Sequence, residues 1–149
     1  MGATGDEVVK ALLTDSDRFP FDGEDFGICR AAGVALVEMP GHDPDDLSRA
    51  ARDADAIFLY YASAPRELIE QLESCRVLAR CGTGYEKIDV EAARKRGIEV
   101  IYVPDYGIDD VSDHTIALLL ACARKLVLSD RAVRSGSWPA YQDLAPMHR

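Results

Sequence analysis

The chain has 149 residues, 48% of them hydrophobic and 29% charged, the ordinary balance of one soluble globular domain with a sizeable core. Its formal net charge of −9 argues against non-specific binding to nucleic acid or to an anionic membrane, since both need a basic face. The longest strongly apolar run, Ile116 to Ala123, is closed by Arg124 and Lys125 and is far too short to span a bilayer.

The first residues, MGATGDEVVK, lack a basic segment followed by an apolar one, so no secretory signal is expected. Asp6 stands where myristoylation favours Ser or Thr. Val8 to Thr14 reads as a first strand. Asp22 to Ala32 reads as a poor helix with Gly33 as its stop. Val34 to Met39 is a second strand. Pro44 to Asp53 is a helix with acidic residues in its first turn, which suits the helix dipole. Ala56 to Tyr61 is a third strand, and Pro65 to Ser74 a helix with proline in its first turn. Val77 to Ala79, with Arg76 and Arg80 beside it, is a fourth strand. Val90 to Arg96 is a helix, with Asp89 as N-cap and Gly97 just past its end. Glu99 to Val103 is a fifth strand.

Near-continuous apolar strands alternating with helices predict an α/β fold with a parallel sheet covered on both faces. Right-handed crossovers make it doubly wound, and five strands favour the flavodoxin-like order 2-1-3-4-5. Asp109 to about Ser135 reads as one long helix, or as two nearly merged at Ser129 and Asp130. At 1.5 Å per residue it would reach about 40 Å. Its middle, IALLLACA, is apolar all round, so it should have partners on two sides. We therefore expect a domain over 1–108, a helix over 109–135 and a linker over 136–149. The bare helix predicts a homodimer, or an oligomer that exchanges the 109–135 segment.

The chemistry concentrates in ARCGTGYEKID, Ala79 to Asp89. Gly82, Thr83 and Gly84 fall at the carboxyl end of a parallel strand, where ligands sit in such sheets. Successive N–H groups in a tight turn can form an anion nest, glycine allows close approach, and the Thr83 hydroxyl adds a donor and an acceptor. A plain tight turn fits the local sequence equally. The turn is not a dinucleotide fingerprint, because Lys87 stands where GxGxxG needs glycine, and there is no GxxxxGK[ST].

Asp15 and Asp17 after the first strand suggest a magnesium site of a phospho-acceptor domain. The third strand, however, ends LYYASAP without an aspartate, and the fifth ends YVPDYG without a lysine. TDSDRFPFD is a weak match to a flavin phosphate loop. His114, beside Asp113, reads more readily as a polar residue near a helix start than as a catalytic base. His42 and His148 lie in loops with no visible acidic partner. Cys29, Cys75, Cys81 and Cys122 have no CxxC spacing and predict buried free thiols in a reducing cytosol, with no zinc site.

The stretch RVLARCGTGYEKIDVEAARKRGIEVIYVPDYGIDDVSDHTIALLLACARKLVLSDRAVRSGSW resembles the D-isomer-specific 2-hydroxyacid dehydrogenases. It is most similar to the branch of phosphoglycerate dehydrogenase and C-terminal-binding proteins, from about Leu59 to Trp138. The resemblance implies a flavodoxin-like substrate domain joined by the long helix to a Rossmann domain that binds NAD or NADP. It implies that Gly82, Thr83 and Gly84 meet the carboxylate of a small 2-hydroxy or 2-keto acid, with Thr83 also approaching the cofactor. Tyr61, Ala62 and Ser63 would line the same cleft, with Pro104 and Tyr106 near it.

Glu86-Lys87 departs from the usual Asp-Asn of the family, and YYASA departs from the arginine-serine that some members carry. The catalytic Arg, carboxylate and His of the family, and its GxGxxG, have no counterpart in this chain. The expectation is a cytoplasmic substrate domain that by itself has no catalytic residues, binds no dinucleotide tightly and moves no hydride. A non-catalytic module that binds a small acid or a protein is the competing expectation.

Overall fold

The computed structural model describes residues 8–138. The N-terminal residues 1–7, His148 and most of the expected linker lie outside the described residues. The elements in chain order are β1 (Val9–Leu13), α1 (Gly23–Ala31), β2 (Val34–Glu38), α2 (Pro44–Ala51), β3 (Ala56–Leu59), α3 (Arg66–Gln71), β4 (Val77–Arg80), α4 (Val90–Lys95), β5 (Glu99–Tyr102), α5 (Ile108–Ala123) and α6 (Leu126–Arg134).

The chain separates into two compact units, Met1–Pro104 and Asp105–Arg149. The first is a parallel five-stranded sheet in the order β2-β1-β3-β4-β5. The first crossover moves one way along this sheet and the next three move the other way. Right-handed connections therefore put α1 on one face and α2, α3 and α4 on the opposite face.

The core lies under those three helices. Leu12 pairs in register with Ile57, Ile57 with Leu78, and Leu78 with Val100, so one apolar row crosses four strands. Leu47, Ala51, Leu68, Ile69, Ala92, Ala93 and Ile98 close over the row. Burial of such side chains is worth roughly 1.5–3 kcal/mol each.

The helix ends follow their local chemistry. Asp22 accepts the N–H groups of Glu24 and Asp25, while Asp25 accepts the N–H of Asp22, completing a capping box. Asp43 caps α2, and Asp89 caps α4 by accepting the Ala92 N–H at 2.9 Å. Gly97 sits past α4 with φ of 72°, in the left-handed region that ends helices. Pro65 differs from its expected place: it is the N-cap of α3 rather than its first helical residue.

The second unit overturns the single long helix. The chain breaks at Arg124 and Lys125, not at Ser129 and Asp130. Lys125 takes φ of 52° and ψ of 36°, and its carbonyl starts α6 by accepting the Ser129 N–H and hydroxyl. Ser129 and Asp130 continue the helix, the latter paired with Arg134 across one turn. At 1.5 Å per residue α5 is about 24 Å long. No residue of either helix is buried, and Ile116, Leu118, Leu119 and Leu120 are each more than half exposed. No helix among the described residues is long and apolar enough to cross a membrane.

The cysteines also depart from expectation. Cys29, Cys75 and Cys81 are free and half-buried, and Cys122 is free and exposed. Among the described residues no group of His, Cys, Asp or Glu is arranged to hold a metal ion.

Candidate functional site

Three loops meet at the carboxyl edge of the sheet, after β1, β3 and β4. Parallel strands aim their ends at this edge, and the order reverses between β1 and β3, which makes the crevice there the natural ligand position.

The turn after β4 holds Gly82, Thr83 and Gly84. Cys81 N–H enters it by donating to Leu59 O at 2.9 Å, and Val103 N–H ties the end of β5 to Gly82 O at 3.1 Å. The residues before Pro104 are thereby anchored to the turn. Tyr106 belongs to the second unit and is 72% exposed.

Thr83 is exposed, and its N–H, its hydroxyl and the Gly84 N–H meet no acceptor among the described residues. These donors sit on adjacent residues of one turn. A Cβ on Gly82 would come 2.8 Å from Arg80 Nη1, so the guanidinium lies against the turn. That guanidinium touches Leu59 O only at 3.5 Å and has no carboxylate partner among the described residues. Sequence reading missed Arg80, although its place as the last residue of β4 was a usable signal. Burial pushes the Cys81 thiol up, outweighing Arg80, so the thiol stays protonated at neutral pH and is no nucleophile.

The loop after β3 carries Tyr61, Ala62 and Ser63. Ala64 N–H donates to Lys87 O at 2.9 Å, and Asp89 N–H donates to Ala64 O at 3.0 Å, joining this loop to the chain beyond the glycine turn. Lys87 Nζ adds a third tie at 3.0 Å to Tyr61 O. The amides of Tyr61 and Ala62 do not face the cleft. Both donate to Asp15 Oδ2, at 2.8 and 3.2 Å. Ala62 is buried, whereas Tyr61 and Ser63 are exposed. Ser63 makes no hydrogen bond among the described residues.

Asp15 is the residue whose role sequence reading did not find: the magnesium site it suggested was set aside, and its buried partners were not in view. It is fully buried, and its carboxylate is used up by the two amides, the Thr14 hydroxyl at 3.1 Å and His42 Nδ1 at 2.5 Å. The carboxylate is turned into the protein onto these partners, and among the described residues no acidic cluster is arranged around it to hold magnesium. His42 does have an acidic partner, 27 positions away. Burial alone would raise the Asp15 carboxyl, but the Tyr61 amide, His42, the Ala62 amide and Thr14 together hold it below its ordinary value. Its backbone is left-handed, with φ of 56°, a conformation aspartate tolerates better than most residues.

The profile of the family described as D-isomer specific 2-hydroxyacid dehydrogenase, catalytic domain, matches residues 20–143. A D-3-phosphoglycerate dehydrogenase of Archaeoglobus fulgidus is 31% identical over 120 residues, covering 80% of this chain and 23% of its own length. A glyoxylate reductase of Pyrococcus horikoshii is 40% identical over 93 residues, 62% of this chain and 28% of its own. The chain spans about a quarter of the length of these curated relatives.

Among solved structures, an acyclic imino acid reductase in complex with NADPH and D-Arg has a TM-score of 0.82 at 20% identity, covering 92% of this chain and 45% of that one. D-lactate dehydrogenase from Aquifex aeolicus, complexed with NAD and lactic acid, has a TM-score of 0.75 at 19% identity, covering 93% and 41%. At these identities the structures speak for the fold alone. A profile match over most of the chain, on a sheet wound in the same order the resemblance implied, leads to one conclusion: the chain belongs to the D-isomer specific 2-hydroxyacid dehydrogenase family, in its catalytic domain.

Proposed function

We propose that these residues form the substrate-binding part of an oxidoreductase that acts on the CH–OH group of a D-2-hydroxy acid and depends on NAD or NADP. The observation that carries this reading is the set of unengaged donors at the carboxyl edge. Thr83 and Gly84 N–H and the Thr83 hydroxyl have no protein acceptor among the described residues, and the Arg80 guanidinium beside them has only a long contact to Leu59 O at 3.5 Å, with the Glu86 carboxylate on the Gly84 side of the turn. A carboxylate is the small anion that such a set suits, through two amides and a charge-assisted bond. The similar proteins include a glyoxylate reductase and a D-lactate dehydrogenase complexed with lactic acid.

The nicotinamide, when bound, supplies or accepts the hydride. This chain offers it Thr83 alone, since no glycine fingerprint exists in the sequence to cradle a pyrophosphate. The role of the chain is to hold the acid and orient its C2 toward the cofactor side. The 149 residues by themselves are expected to bind acid weakly and to move no hydride. The free thiols agree with a cytoplasmic setting.

Titration of the 15N-labelled chain with D-lactate tests the reading. Shifts confined to Ser63, Thr83, Gly84 and the Arg80 side chain are expected, together with no NADH oxidation in the presence of 2-keto acids. Absence of any shift up to high millimolar acid would remove the substrate reading. Oxidation of NADH by the pure chain would remove the claim of inactivity.

A second reading rests on the exposed apolar side chains of α5 and α6. They suit a protein surface, either a second copy of this chain or another partner, and a chain that binds no acid but does bind protein would be a scaffold.

A further inference from the structure

Beside the cleft between β1 and β3 lies a buried carboxylate turned onto backbone amides. Asp15 lies at the carboxyl end of β1, with 0% of its side chain exposed. Its neighbours come from three separate segments: Thr14 beside it, His42 from the loop before α2, and the Tyr61-Ala62 peptides from the loop after β3. Burying a carboxylate is costly unless its charge is met by hydrogen bonds. Here two amides and His42 meet it, with the Thr14 hydroxyl, which also reaches Phe58 O at 3.0 Å, beside it, and no buried side-chain oxygen or nitrogen among the described residues lacks a partner.

The backbone is shaped to the same end. Asp15 is one of two non-glycine residues with positive φ among those described. Such a backbone is uncommon for a residue with a Cβ and persists where its surroundings impose it. The surroundings are visible. Asp15 N–H donates to Gly41 O at 2.9 Å, Ser16 N–H to Met39 O at 3.2 Å, and Gly41 N–H to Asp17 Oδ1 at 2.7 Å. The loops after β1 and β2 are laced together, and the turn aims the Asp15 carboxylate sideways at the β3 loop.

The effect on that loop is specific. With the N–H groups of Tyr61 and Ala62 both drawn inward to one oxygen, Ala62 is held in the core while Tyr61 and Ser63 on either side of it are exposed. The inward pull also sets the height of the Tyr61 carbonyl, to which Lys87 Nζ is bonded. The far side of the loop is therefore tied to the segment that carries Gly82, Thr83 and Gly84.

We propose that Asp15, backed by His42, is a positioning residue for the cleft: its buried carboxylate fixes the Tyr61–Ser63 loop in the conformation that faces the glycine turn. The proposal rests on the substrate reading above for its functional meaning, but its structural content stands on the loop alone.

The test uses the 15N-labelled full chain and the variants Asp15→Asn, Asp15→Ala and His42→Gln. In the wild type the Tyr61 and Ala62 amide protons should resonate downfield and exchange slowly. In Asp15→Asn they should move upfield and exchange at least about tenfold faster, with Leu59 and Leu78 in the neighbouring strands unchanged. Asp15→Ala should go further, and Asn, which keeps one acceptor oxygen, should restore part of the loss. His42→Gln should give the smaller change of a lost outer partner.

Binding of D-lactate at Thr83 and Gly84 should weaken about tenfold in Asp15→Asn. If the two amides keep their shifts and slow exchange in Asp15→Asn, the proposal fails. It also fails if they are released while the affinity for D-lactate is unchanged. A wild type that shows the protected amides yet binds no D-lactate overturns the substrate reading and leaves the loop-fixing role demonstrated. Should Asp15→Ala not fold, the Asn and Gln variants decide the outcome.

Discussion

Lys87 Nζ lies 3.0 Å from the carbonyl oxygen of Tyr61 and 5.9 Å from the centre of its ring. One side chain thus spans the loops after β3 and β4, from a position where the resemblance had implied asparagine. A long cation can reach across where a short amide would have to sit closer. The bond is exposed, so its contribution to stability is about 0.5–1 kcal/mol at most. Lys87→Met should lower the urea midpoint only slightly. It should nonetheless weaken D-lactate binding by about two- to fivefold, because the loop spacing loses its strut. Chemical-shift titration beside urea unfolding separates the two effects; equal affinity in variant and wild type would dismiss the strut.

Acid stability should depend on Asp15. Its carboxyl is depressed in the folded protein, below an unfolded value of about 3.9. A depressed carboxyl contributes stability that is fully present above the unfolded pKa and is lost as pH falls through the folded one. Urea midpoints should therefore hold steady near neutrality and drop below about pH 4. Asp15→Asn should be less stable at pH 7 but flatter in the acid window. Asp89, depressed by the Ala92 amide and by Arg66, and Asp53, depressed by Lys10, act in the same direction and should leave a residual slope. An unchanged acid slope in Asp15→Asn would show that its bonds persist on protonation.

The central row sets the mechanical strength of the sheet. Ile57 has 0% exposure and sits between Leu12 and Leu78 in register. Ile57→Ala should cost about 2–5 kcal/mol, as cavity formation adds to lost transfer energy. Ile101 on β5 is 48% exposed, and Ile101→Ala should cost well under half of that. Denaturant midpoints of the two variants give the comparison.

Gly97 meets nothing within 4 Å of an added Cβ, yet its φ is 72°. Space is therefore not the obstacle, and conformation is. Gly97→Ala should destabilise by about 1 kcal/mol and Gly97→Asn by less, since asparagine tolerates the left-handed region. If alanine and asparagine prove equivalent, the strain argument is wrong.

The α5 and α6 surface should govern association. With Ile116 at 54% and Leu119 at 60% exposure, the chain should form dimers or exchanged oligomers in light scattering at high concentration. Ile116→Lys with Leu119→Glu should shift it toward monomer. A clean wild-type monomer would count against the association.

The sheet was legible because every strand is a short apolar run with a turn signal at its end. The caps at Asp89 and Gly97 were legible because their chemistry is local. The Asp15 cluster was not, since Thr14-Asp15, His42 and Tyr61-Ala62 become neighbours only after β1 is placed between β2 and β3. The polar pair closing an apolar strand was a clue, but once the magnesium reading of Asp15 and Asp17 was set aside no other role for Asp15 could be seen, because none of its donors is near in sequence. The helix break was hidden for another reason. Lysine is a good helix former, so nothing in local propensity marks Lys125, whereas Ser129-Asp130 looked like a stop and proved helical. The glycine turn was found correctly in place, but its cation, Arg80, looked like an ordinary strand end.

Every residue of the buried cluster lies at or before Ile98, and the last strand, β5, forms an edge of the sheet. During synthesis the chain therefore has its whole core available once β5 has cleared the ribosome. Domains fold as units from the N-terminal side as they emerge. The cleft at the carboxyl edge can thus be assembled while everything beyond Pro104 is still being translated, so a nascent chain halted after β5 should already resist protease.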